Sequence, residues 1–524
     1  MEKDLSQTKL ESQPQDTVKE EDRIPLKEKL AYGVGALMDG GGVALMSCVM
    51  LKYMTDGLAI GAAAASTIIM ASKFWDAITD PLMGNISDNT RSKYGRRKPY
   101  MFFGGILLFL AVGMLFLPIN RFIPTDAGKI AFMAVMYIFY NTCSTITQVP
   151  YCSLASDISK SYKERNKANT VKLVFTAASS GLSYVIPLLA IESYISGKIT
   201  DIQYWLFIFL IFGTLFGAGL IICSRFVKER VTVPKDEPKR KFDVKEYLVP
   251  FKIKSFVWHI VMYASAFMCM DIISALAVYY ATDVWAGVTL FGMNFSSMFI
   301  IAPLMVTAVL AFPLARYLMD KKSKQFAFRV GLPCYIVGGI MLAIMSPAWT
   351  PAWLVPIVAG LMGFGFGGAQ MMPWIIFPDT IDVAELKLGY RPTGAFSGAM
   401  TLIRKTAGAL GVGMVGWIID GFGYIPKLAG ETVVQSEAVL LSIRLMMGIG
   451  IASLMSVALV ASLMYKVTNR KLDRIRFLVD KENTEGIDKF TLDEKQEKYD
   501  LIKELAGYGK EEKKQAKQDL GLAE

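Results

Sequence analysis

Long apolar segments alternate with short polar segments along most of the chain. A helix of about 20 residues crosses the roughly 30 Å apolar core of a bilayer, and twelve of the apolar segments reach that length. They lie at 30–54, 61–86, 100–119, 129–154, 169–191, 203–226, 255–283, 289–317, 329–347, 352–377, 395–419 and 437–466. The pattern therefore predicts an all-α polytopic membrane protein with twelve transmembrane helices.

The polar segments divide these helices into regions. The longest internal polar segment, 227–254, has six predicted helices on either side, so we expect two six-helix halves at 29–226 and 255–466. Residues 1–28 are polar, without a cleavage site, and we expect a cytoplasmic tail rather than a signal peptide. Residues 467–524 are charged but carry apolar residues at helical spacing, which predicts amphipathic cytoplasmic helices.

Lysine and arginine are concentrated in alternate loops. The chain carries a net charge of +10, although only 19% of its residues are charged. The basic loops follow the even-numbered predicted helices, at Arg91–Lys98, Lys160–Lys167, Arg225–Lys254, Arg316–Lys324 and Lys387–Arg391. Positive loops mark the cytoplasmic side, so we expect a multi-pass protein of the inner membrane with both termini in the cytoplasm. The net charge thus indicates membrane topology and not a nucleic-acid partner.

Two carboxylates lie inside the second predicted helix. Asp76 and Asp80 are four residues apart and share one helix face, where they are costly unless a cation compensates them. Lys405 lies about twelve residues into the eleventh helix, near the bilayer centre at ~1.5 Å per residue, and we expect it to pair with them. Pro81 lacks an N–H and leaves the Ala77 carbonyl free as a further oxygen ligand. The sequence predicts a site for Na⁺ or for an exchangeable proton.

Other polar side chains within the predicted helices are candidates for binding a solute. Asp39 and Asp271 lie inside the first and seventh helices, which open the two halves. Gln148, Gln370 and Trp374 offer amides and an aromatic ring, which bind sugars through hydrogen bonds and stacking. The alternatives are ion pairs and hydrogen bonds between neighbouring helices, and for the tryptophan a place at the membrane interface.

Several other kinds of chemistry lack support in the sequence. The six cysteines fall in or beside apolar segments without metal-ligand spacing, and a single histidine cannot form a metal site. The chain has no Gly-x-x-x-x-Gly-Lys-Ser/Thr motif, so ATP is not expected to drive it. We expect no cofactor apart from a coupling ion, Na⁺ or H⁺. An enzyme is not expected, because no nucleophile–base arrangement is evident.

The most specific motif runs from the second predicted helix into the next loop. It reads Trp75-Asp76-x-x-x-Asp80-Pro81-x-x-Gly84, then Thr90-Arg91-Ser92-x-x-Gly95-Arg96-x-Lys98-Pro99. A second motif reads Asp379-Thr-Ile-Asp382-Val-Ala-Glu385-Leu-Lys-Leu-Gly-Tyr-Arg391, followed by Lys405 and Gly421-Phe-Gly-Tyr424. With these motifs, over about residues 28–466, the chain resembles the melibiose permease-like glycoside–pentoside–hexuronide:cation symporter family. The resemblance implies the major facilitator fold, in which two six-helix halves surround a midplane site.

The resemblance also implies roles for individual residues. Asp76 and Asp80 match the positions implicated in cation binding, and Thr145 and Lys405 match positions beside them. The residues that match a cytoplasmic gate are Arg91, Arg165, Asp379, Asp382, Glu385 and Arg391.

The sugar site departs from the family pattern. Gly40, with Asp39 beside it, and Gln148 stand at the positions of two galactoside-binding aspartates, and Leu173, next to Lys172, stands at that of a sugar-binding arginine. A galactoside is therefore disfavoured. Loss of carboxylates lowers the cost of binding an anionic sugar, which leaves a hexuronide or another acidic glycoside open, although Asp271 restores one carboxylate.

These observations predict a secondary active transporter. We expect it to import a sugar or glycoside, uronides included, by symport with Na⁺ or H⁺ through alternating access. Two alternatives stay open: a carrier of the same fold for a lipid-like or other organic solute, and a membrane sensor that binds a sugar without transporting it. We expect a monomer in the bilayer whose partners are the small solute and a monovalent cation, with no nucleic acid.

Overall fold

The structure of the protein is a computed structural model that describes residues 23–159, 161–230, 244–431 and 433–520. Part of the predicted N-terminal tail, residues 1–22, and part of the predicted central loop, residues 231–243, lie outside the described residues.

Helices account for nearly all of the described residues. They are α1 (Leu26–Gly57), α2 (Ala62–Asn89), α3 (Lys98–Leu115), α4 (Asp126–Asp157), α5 (Tyr162–Ile195), α6 (Asp201–Phe226), α7 (Lys254–Val284), α8 (Met298–Lys321), α9 (Lys324–Ile344), α10 (Leu354–Leu388), α11 (Thr393–Gly421), α12 (Glu437–Met464), α13 (Asn469–Glu485), α14 (Leu492–Leu501) and α15 (Lys510–Asp519). Three short 3₁₀ helices lie at Ile119–Arg121, Val244–Lys252 and Ile487–Lys489, and two strands, β1 (Thr289–Leu290) and β2 (Met293–Asn294), pair antiparallel.

The helices α1 to α12 match the twelve predicted spans in number and order. Eleven of them are both long and apolar enough to cross a membrane in the part of the chain that the structure describes. The other, α2, is 28 residues long and falls short in composition only, because it carries charged side chains, Asp76 and Asp80 among them. The exception is the helix on which the sequence places the cation site.

Two predicted boundaries are wrong by many residues. The eighth helix begins at Met298 and not at residue 289, because residues 289–294 form a hairpin whose turn residues, Phe291 and Gly292, both have positive φ. The tenth helix continues to Leu388 instead of ending near residue 377, and Gly389 caps it in the left-handed conformation. Apolar composition alone resolved neither the short hairpin nor the polar extension.

The most extensively packed helix pairs correspond between the two halves. In the first half they are α1–α5, α1–α6, α2–α4, α3–α4 and α3–α6. In the second half they are α7–α11, α7–α12, α8–α10, α9–α10 and α9–α12, so each pair recurs six helices later. This correspondence is the structural signature of a repeated six-helix unit.

A short motif repeats with the helices. Tyr53-Met-Thr-Asp56 ends α1 and Tyr280-Ala-Thr-Asp283 lies at the end of α7, each in a π-helical turn. The Tyr53 hydroxyl donates to the carbonyl of Phe116 after α3, and the Tyr280 hydroxyl donates to the carbonyl of Leu342 in α9. The same residues thus make equivalent contacts in both halves.

In the described part of the chain the halves are joined most extensively by α1 with α7, α2 with α11, and α5 with α8. The α2–α11 contact is close because α11 carries glycine where it meets α2; a Cβ atom at Gly416 would overlap the side chain of Ser66. Close approach of α2 and α11 brings the acidic helix beside the helix that carries Lys405.

The C-terminal segment packs against the second half. Helix α13 and the segment after α14 contact α10, and residues after α14 also contact α7. The apolar side chains that the helical spacing selected are buried: Leu472, Ile475, Leu478, Leu501, Ile502 and Leu505. Lys387 of α10 holds the last part of the segment by bonds to the Gly507 carbonyl and to Glu512.

Candidate cation and substrate site

The structure brings together the four residues of the predicted cation site. The Lys405 ammonium of α11 lies 2.5 Å from Asp80 Oδ2 and 3.3 Å from Asp76 Oδ2, both on α2. The Thr145 hydroxyl of α4 donates to Asp80 Oδ1 at 2.8 Å. Lys405 therefore links the second half to a carboxylate pair of the first half.

This cluster keeps oxygen atoms available for a cation. Asp76 Oδ1 is buried and has no hydrogen-bond partner in the described residues. Pro81 lies inside α2, so the Ala77 carbonyl lacks its usual N–H partner. Carboxylate, hydroxyl and carbonyl oxygens suit a hard monovalent cation, and the same carboxylates are also able to bind a proton.

Asp271 does not stand alone in α7. Its carboxylate accepts two hydrogen bonds from Arg404 of α11, at 2.6 Å to Oδ2 and 3.3 Å to Oδ1. Gly408 makes room for this pair, because a Cβ atom there would overlap Asp271 Oδ2. Phe267 lies against the guanidinium, 4.7 Å from its carbon to the ring centroid. The sequence reasoning missed Arg404, although it directly precedes Lys405.

The candidates in the first half are Asp39 and Gln148. Asp39 Oδ2 of α1 lies 3.2 Å from the Lys172 ammonium of α5, so it forms the interhelical ion pair that was the alternative to sugar binding. Gln148 of α4 has both amide atoms buried without a hydrogen-bond partner among the described residues. Such an amide is expensive to leave unpaired, which makes Gln148 the strongest of these candidates for a solute contact.

The candidates on α10 differ in what they contact. The Gln370 amide donates to the Ala266 carbonyl of α7 at 3.2 Å, a bond between helices. Trp374 is 53% exposed, and its ring meets Tyr263 edge to face with centroids 5.5 Å apart. Trp374 therefore has an open ring face, whereas the Gln370 amide already has a structural partner.

The acidic residues of the predicted cytoplasmic gate pair within the second half and its tail. Asp379 of α10 lies 2.7 Å from Lys324, and Asp382 lies 2.8 Å from Arg391. Arg391 also bonds Glu385 at 2.6 Å. Arg476 of α13 donates to Asp382 at 2.9 Å, so the C-terminal segment occupies part of this acidic surface.

The basic gate residues of the first half lie apart from these acids. Arg91 donates to the backbone carbonyls of Asp88 and Thr90 beside it. Arg165 Nε is buried without a hydrogen-bond partner in the part of the chain that the structure describes. In that part neither arginine forms an ion pair with the second half, so the halves are not joined by these residues in this conformation.

A second charged cluster joins the halves at the C-terminal ends of α1 and α7. The sequence did not predict it. Lys52 lies 2.9 Å from Asp56 and 2.6 Å from Asp283. Lys427, from the segment between α11 and α12, lies 3.7 Å from Asp56 and 3.6 Å from Asp283. We call Lys52, Asp56, Asp283 and Lys427 the Lys52 cluster.

Tyrosines complete the Lys52 cluster. The Tyr424 hydroxyl donates to Asp56 Oδ1 at 2.6 Å, and the Lys52 ammonium lies 4.0 Å from the centroid of the Tyr279 ring. Two features of the sequence could have predicted this cluster. Lys52 and Asp56 have i, i+4 spacing in an apolar segment, and both aspartates belong to the repeated Tyr-x-Thr-Asp motif.

Comparison with protein families assigns most of the chain to one of them. The model of the MFS/sugar transport protein family matches residues 31–469. The match includes both halves and all the candidate residues of the cation and substrate site.

Curated relatives are similar over nearly their full length. An uncharacterized symporter of Bacillus subtilis, YnaJ, is 28% identical over 86% of this chain and 93% of its own. A putative glycoside/cation symporter of Escherichia coli, YagG, is 24% identical over 86% of this chain and 94% of its own. A putative sulfoquinovose importer of Salmonella typhimurium is 26% identical over 80% of this chain and 85% of its own.

Solved structures show the same fold. The nucleoside transporter NupG superposes with a TM-score of 0.53 at 13% identity, covering 84% of this chain and 99% of the other. This likeness establishes the architecture of the major facilitator transporters. It does not identify the substrate, which has to be inferred from the chemistry of the site.

Proposed function

The chain belongs to the MFS/sugar transport protein family, and on that premise we propose that it imports a sugar or glycoside together with Na⁺ or H⁺. It is a multi-pass membrane transporter and not an enzyme. Symporters among its relatives indicate coupling to a cation, and the finer assignment of solute and ion is our proposal.

The observation that carries the proposal is the contact of Lys405 with both Asp76 and Asp80 across the interface of the halves. A cation that binds the two carboxylates competes with the Lys405 ammonium for the same oxygens. Binding therefore weakens a link between α2 and α11 and changes the relative stability of the conformations. This competition couples the cation to the movement of the halves.

We propose that the two halves, 29–226 and 255–466, rock about the central site in a monomer. The basic loops support a cytoplasmic location for residues 1–28, 227–254 and 467–524. The Lys52 cluster then lies at the extracellular end, where it joins the halves. At the cytoplasmic end the gate residues form no ion pair between the halves in the described part of the chain. This arrangement fits a conformation open to the cytoplasm.

The proposed solute site combines residues of both halves. Gln148 offers an unpaired buried amide and Trp374 an open ring face, which suit sugar hydroxyls and the C–H face of a sugar ring. Asp39, Asp271 and Gln370 already have partners on neighbouring helices, so a solute has to share or replace those bonds. The relative named as a sulfoquinovose importer supports a sugar, anionic ones included.

Transport by the purified protein in proteoliposomes tests the proposal. Radiolabelled neutral glycosides, pentosides and uronides are presented with an inward Na⁺ gradient, with an inward H⁺ gradient and with neither. Uptake that follows the Na⁺ gradient identifies Asp76 and Asp80 as a sodium site, and uptake that follows only the pH gradient identifies them as proton carriers.

Failure of every sugar to enter would overturn the proposal. The same vesicles are then offered a lysophospholipid-like solute, because a carrier of the same fold for such solutes is the remaining transport alternative. Sugar binding without uptake under any gradient would instead favour a sensor.

A further inference from the structure

The central site comprises two charged groups of residues, Asp76, Asp80 and Lys405 on one side and Asp271, Arg404 and Lys73 on the other. We propose that Arg404 and Lys73 form a subsite for the single negative group of a sugar acid, a carboxylate or a sulfonate. In this subsite the anion is bound together with the cation at Asp76 and Asp80, so that the pair is neutral. The inference rests on the proposed function and specifies its substrate class.

Arg404 has binding capacity that Asp271 does not use. The guanidinium carries five N–H donors, and Asp271 accepts from two of its nitrogens. No described residue accepts from the others, and the side chain is 23% exposed although it lies in the middle of α11. A planar donor fork with free positions is the group that recognises carboxylate-like anions most strongly.

Lys73 supplies a charge without a partner. It precedes Asp76 by three residues on α2, so the two side chains share a helix face. Its ammonium interacts electrostatically with Asp271 and Arg404 as well as with Asp76 and Lys405, so both charged pairs lie within its electrostatic range. Within the described residues Lys73 forms no ion pair and no hydrogen bond through its ammonium. An unpaired charge at membrane depth marks a site that a ligand completes.

Counting charges separates two regions. Asp76, Asp80 and Lys405 together carry −1 when all are ionised. Asp271, Arg404 and Lys73 together carry +1. When all six groups are ionised, the empty site is therefore neutral, with a negative region for the cation next to a positive region for the anion.

Neutrality provides a mechanism of coupling. Closing the halves over the site removes water, and a net charge in the resulting low-dielectric space is costly. The empty site and the site with both cation and anion are neutral, whereas a site with one of them carries +1 or −1. Only the neutral states then close readily, so neither ion crosses without the other.

A purely structural role explains less of the geometry. An Arg404–Asp271 pair alone would be neutral and complete, and it would require neither free guanidinium donors nor the additional ammonium of Lys73. Gly408 indicates that the pair is built closely against α11, since any side chain there would displace the Asp271 carboxylate. The pair therefore fixes Arg404 in place, with its remaining donors available.

The first test compares a sugar acid with its neutral counterpart. Proteoliposomes that hold the wild-type protein are given glucuronate or galacturonate, and the corresponding neutral hexoses, under the same cation gradient. We expect the acids to be preferred, and Lys73→Gln and Arg404→Gln to lower that preference at least about tenfold. Arg121→Gln, an exposed arginine distant from the site, is the matched control and is expected to keep the preference.

Two variants that leave neither Arg404 nor Asp271 unpaired guard against misfolding. Lys73→Gln leaves the Arg404–Asp271 pair intact, and Arg404→Gln with Asp271→Asn removes the pair without leaving a charge unpaired. If these variants transport sugar acids with wild-type preference, the subsite is wrong. If the wild type transports neutral sugars as well as acids, the inference fails while the proposed sugar function stands. If no sugar is transported at all, the proposed function fails first.

The second test measures charge movement. One monovalent cation with one monovalent sugar acid moves no net charge, so a K⁺ diffusion potential, negative inside, is expected to leave accumulation unchanged. Accumulation that increases with the potential would show net positive charge crossing with the solute and would overturn the coupling by neutrality.

Discussion

Two charged clusters join the halves of this transporter, and they differ in accessibility. In the Lys52 cluster the side chains are at most 9% exposed and each carboxylate meets both lysines. In the central cluster Asp76, Asp80 and Lys405 are 13–29% exposed, and Asp76 keeps an unpaired oxygen. The same chemical groups at the same interface therefore differ in what they allow: the closed cluster joins the halves without a ligand, and the open one is where we propose that a cation replaces an internal partner.

Charge balance sharpens the contrast. The Lys52 cluster has two carboxylates and two ammonium groups in mutual contact, so it is neutral without a ligand. The central site, with all its groups ionised, is neutral only as a whole. Its negative part is Asp76, Asp80 and Lys405, and its positive part is Asp271, Arg404 and Lys73. Separation of opposite charges costs stability, which is consistent with our proposal that this site binds a ligand of each sign.

The largest expected effect comes from removing a charge of the central pair. Asp76→Asn or Asp80→Asn is expected to abolish accumulation against a sugar gradient, because the cation loses a ligand, while downhill exchange persists. Gradient-driven and exchange uptake in proteoliposomes measure the two activities. The exposed Asp126→Asn is the control, and full accumulation by both site variants would overturn the cation site.

The second largest effect is expected on the folding stability of the protein when a charge of the Lys52 cluster is removed. Lys52→Met leaves two buried carboxylates with the more distant Lys427 and is expected to cost about 3–5 kcal/mol of folding free energy. The double variant Lys52→Met with Asp56→Asn restores neutrality and is expected to regain part of this loss. Thermal unfolding in detergent measures both, and an unchanged midpoint for Lys52→Met would remove the distinction between the clusters.

Glu164, a buried carboxylate outside the membrane-spanning segments, extends the comparison to pH. Burial alone would raise the pKa of Glu164, but hydrogen bonds from Lys29, Lys167 and the Ile24 backbone lower it to about 2. A lowered pKa stabilises the folded state fully above the unfolded value of roughly 4.5 and less as pH falls through 2. Glu164→Gln is therefore expected to lower the unfolding temperature equally at pH 8 and pH 5.

A loss that differs between pH 8 and pH 5 would contradict this assignment. If it holds, a change in sugar uptake over this range cannot be attributed to Glu164.

The smallest effect is expected at the C-terminal segment. Arg476 is 54% exposed where it meets Asp382, and exposed ion pairs contribute about 0–1 kcal/mol. Arg476→Ala is therefore expected to leave thermal stability nearly unchanged and to leave the cation dependence of uptake intact. A large loss of accumulation in this variant would show that the segment takes part in the transport cycle.

The sequence was most informative where one helix carries the signal. Apolar length identified twelve helices in order, and loop charge indicated their orientation. The spacing of Asp76 and Asp80, with Lys405 near the bilayer centre, located the central pair before the structure showed their contact. The hairpin before α8 was missed because two-residue strands leave no clear periodic signal.

Contacts between distant segments were decided by the tertiary structure. Lys52 meets Asp283 across 231 residues, and Arg404 meets Asp271 across 133 residues. Periodicity reports only which side of its own helix a residue occupies, so it does not reveal which cation meets which carboxylate. The sequence therefore does not show that Asp39 and Asp271 are paired with basic side chains.

The sequence by itself therefore determined the number and order of the apolar helices, the family and the residues that bear charge inside those helices. These properties follow from hydrophobic length, loop charge and local spacing, which are one-dimensional. Only the tertiary structure decided which charges are sealed and which are accessible, because burial and partnership depend on how the two halves pack. That difference separates the Lys52 cluster from the site where we propose that a cation and a sugar acid bind together.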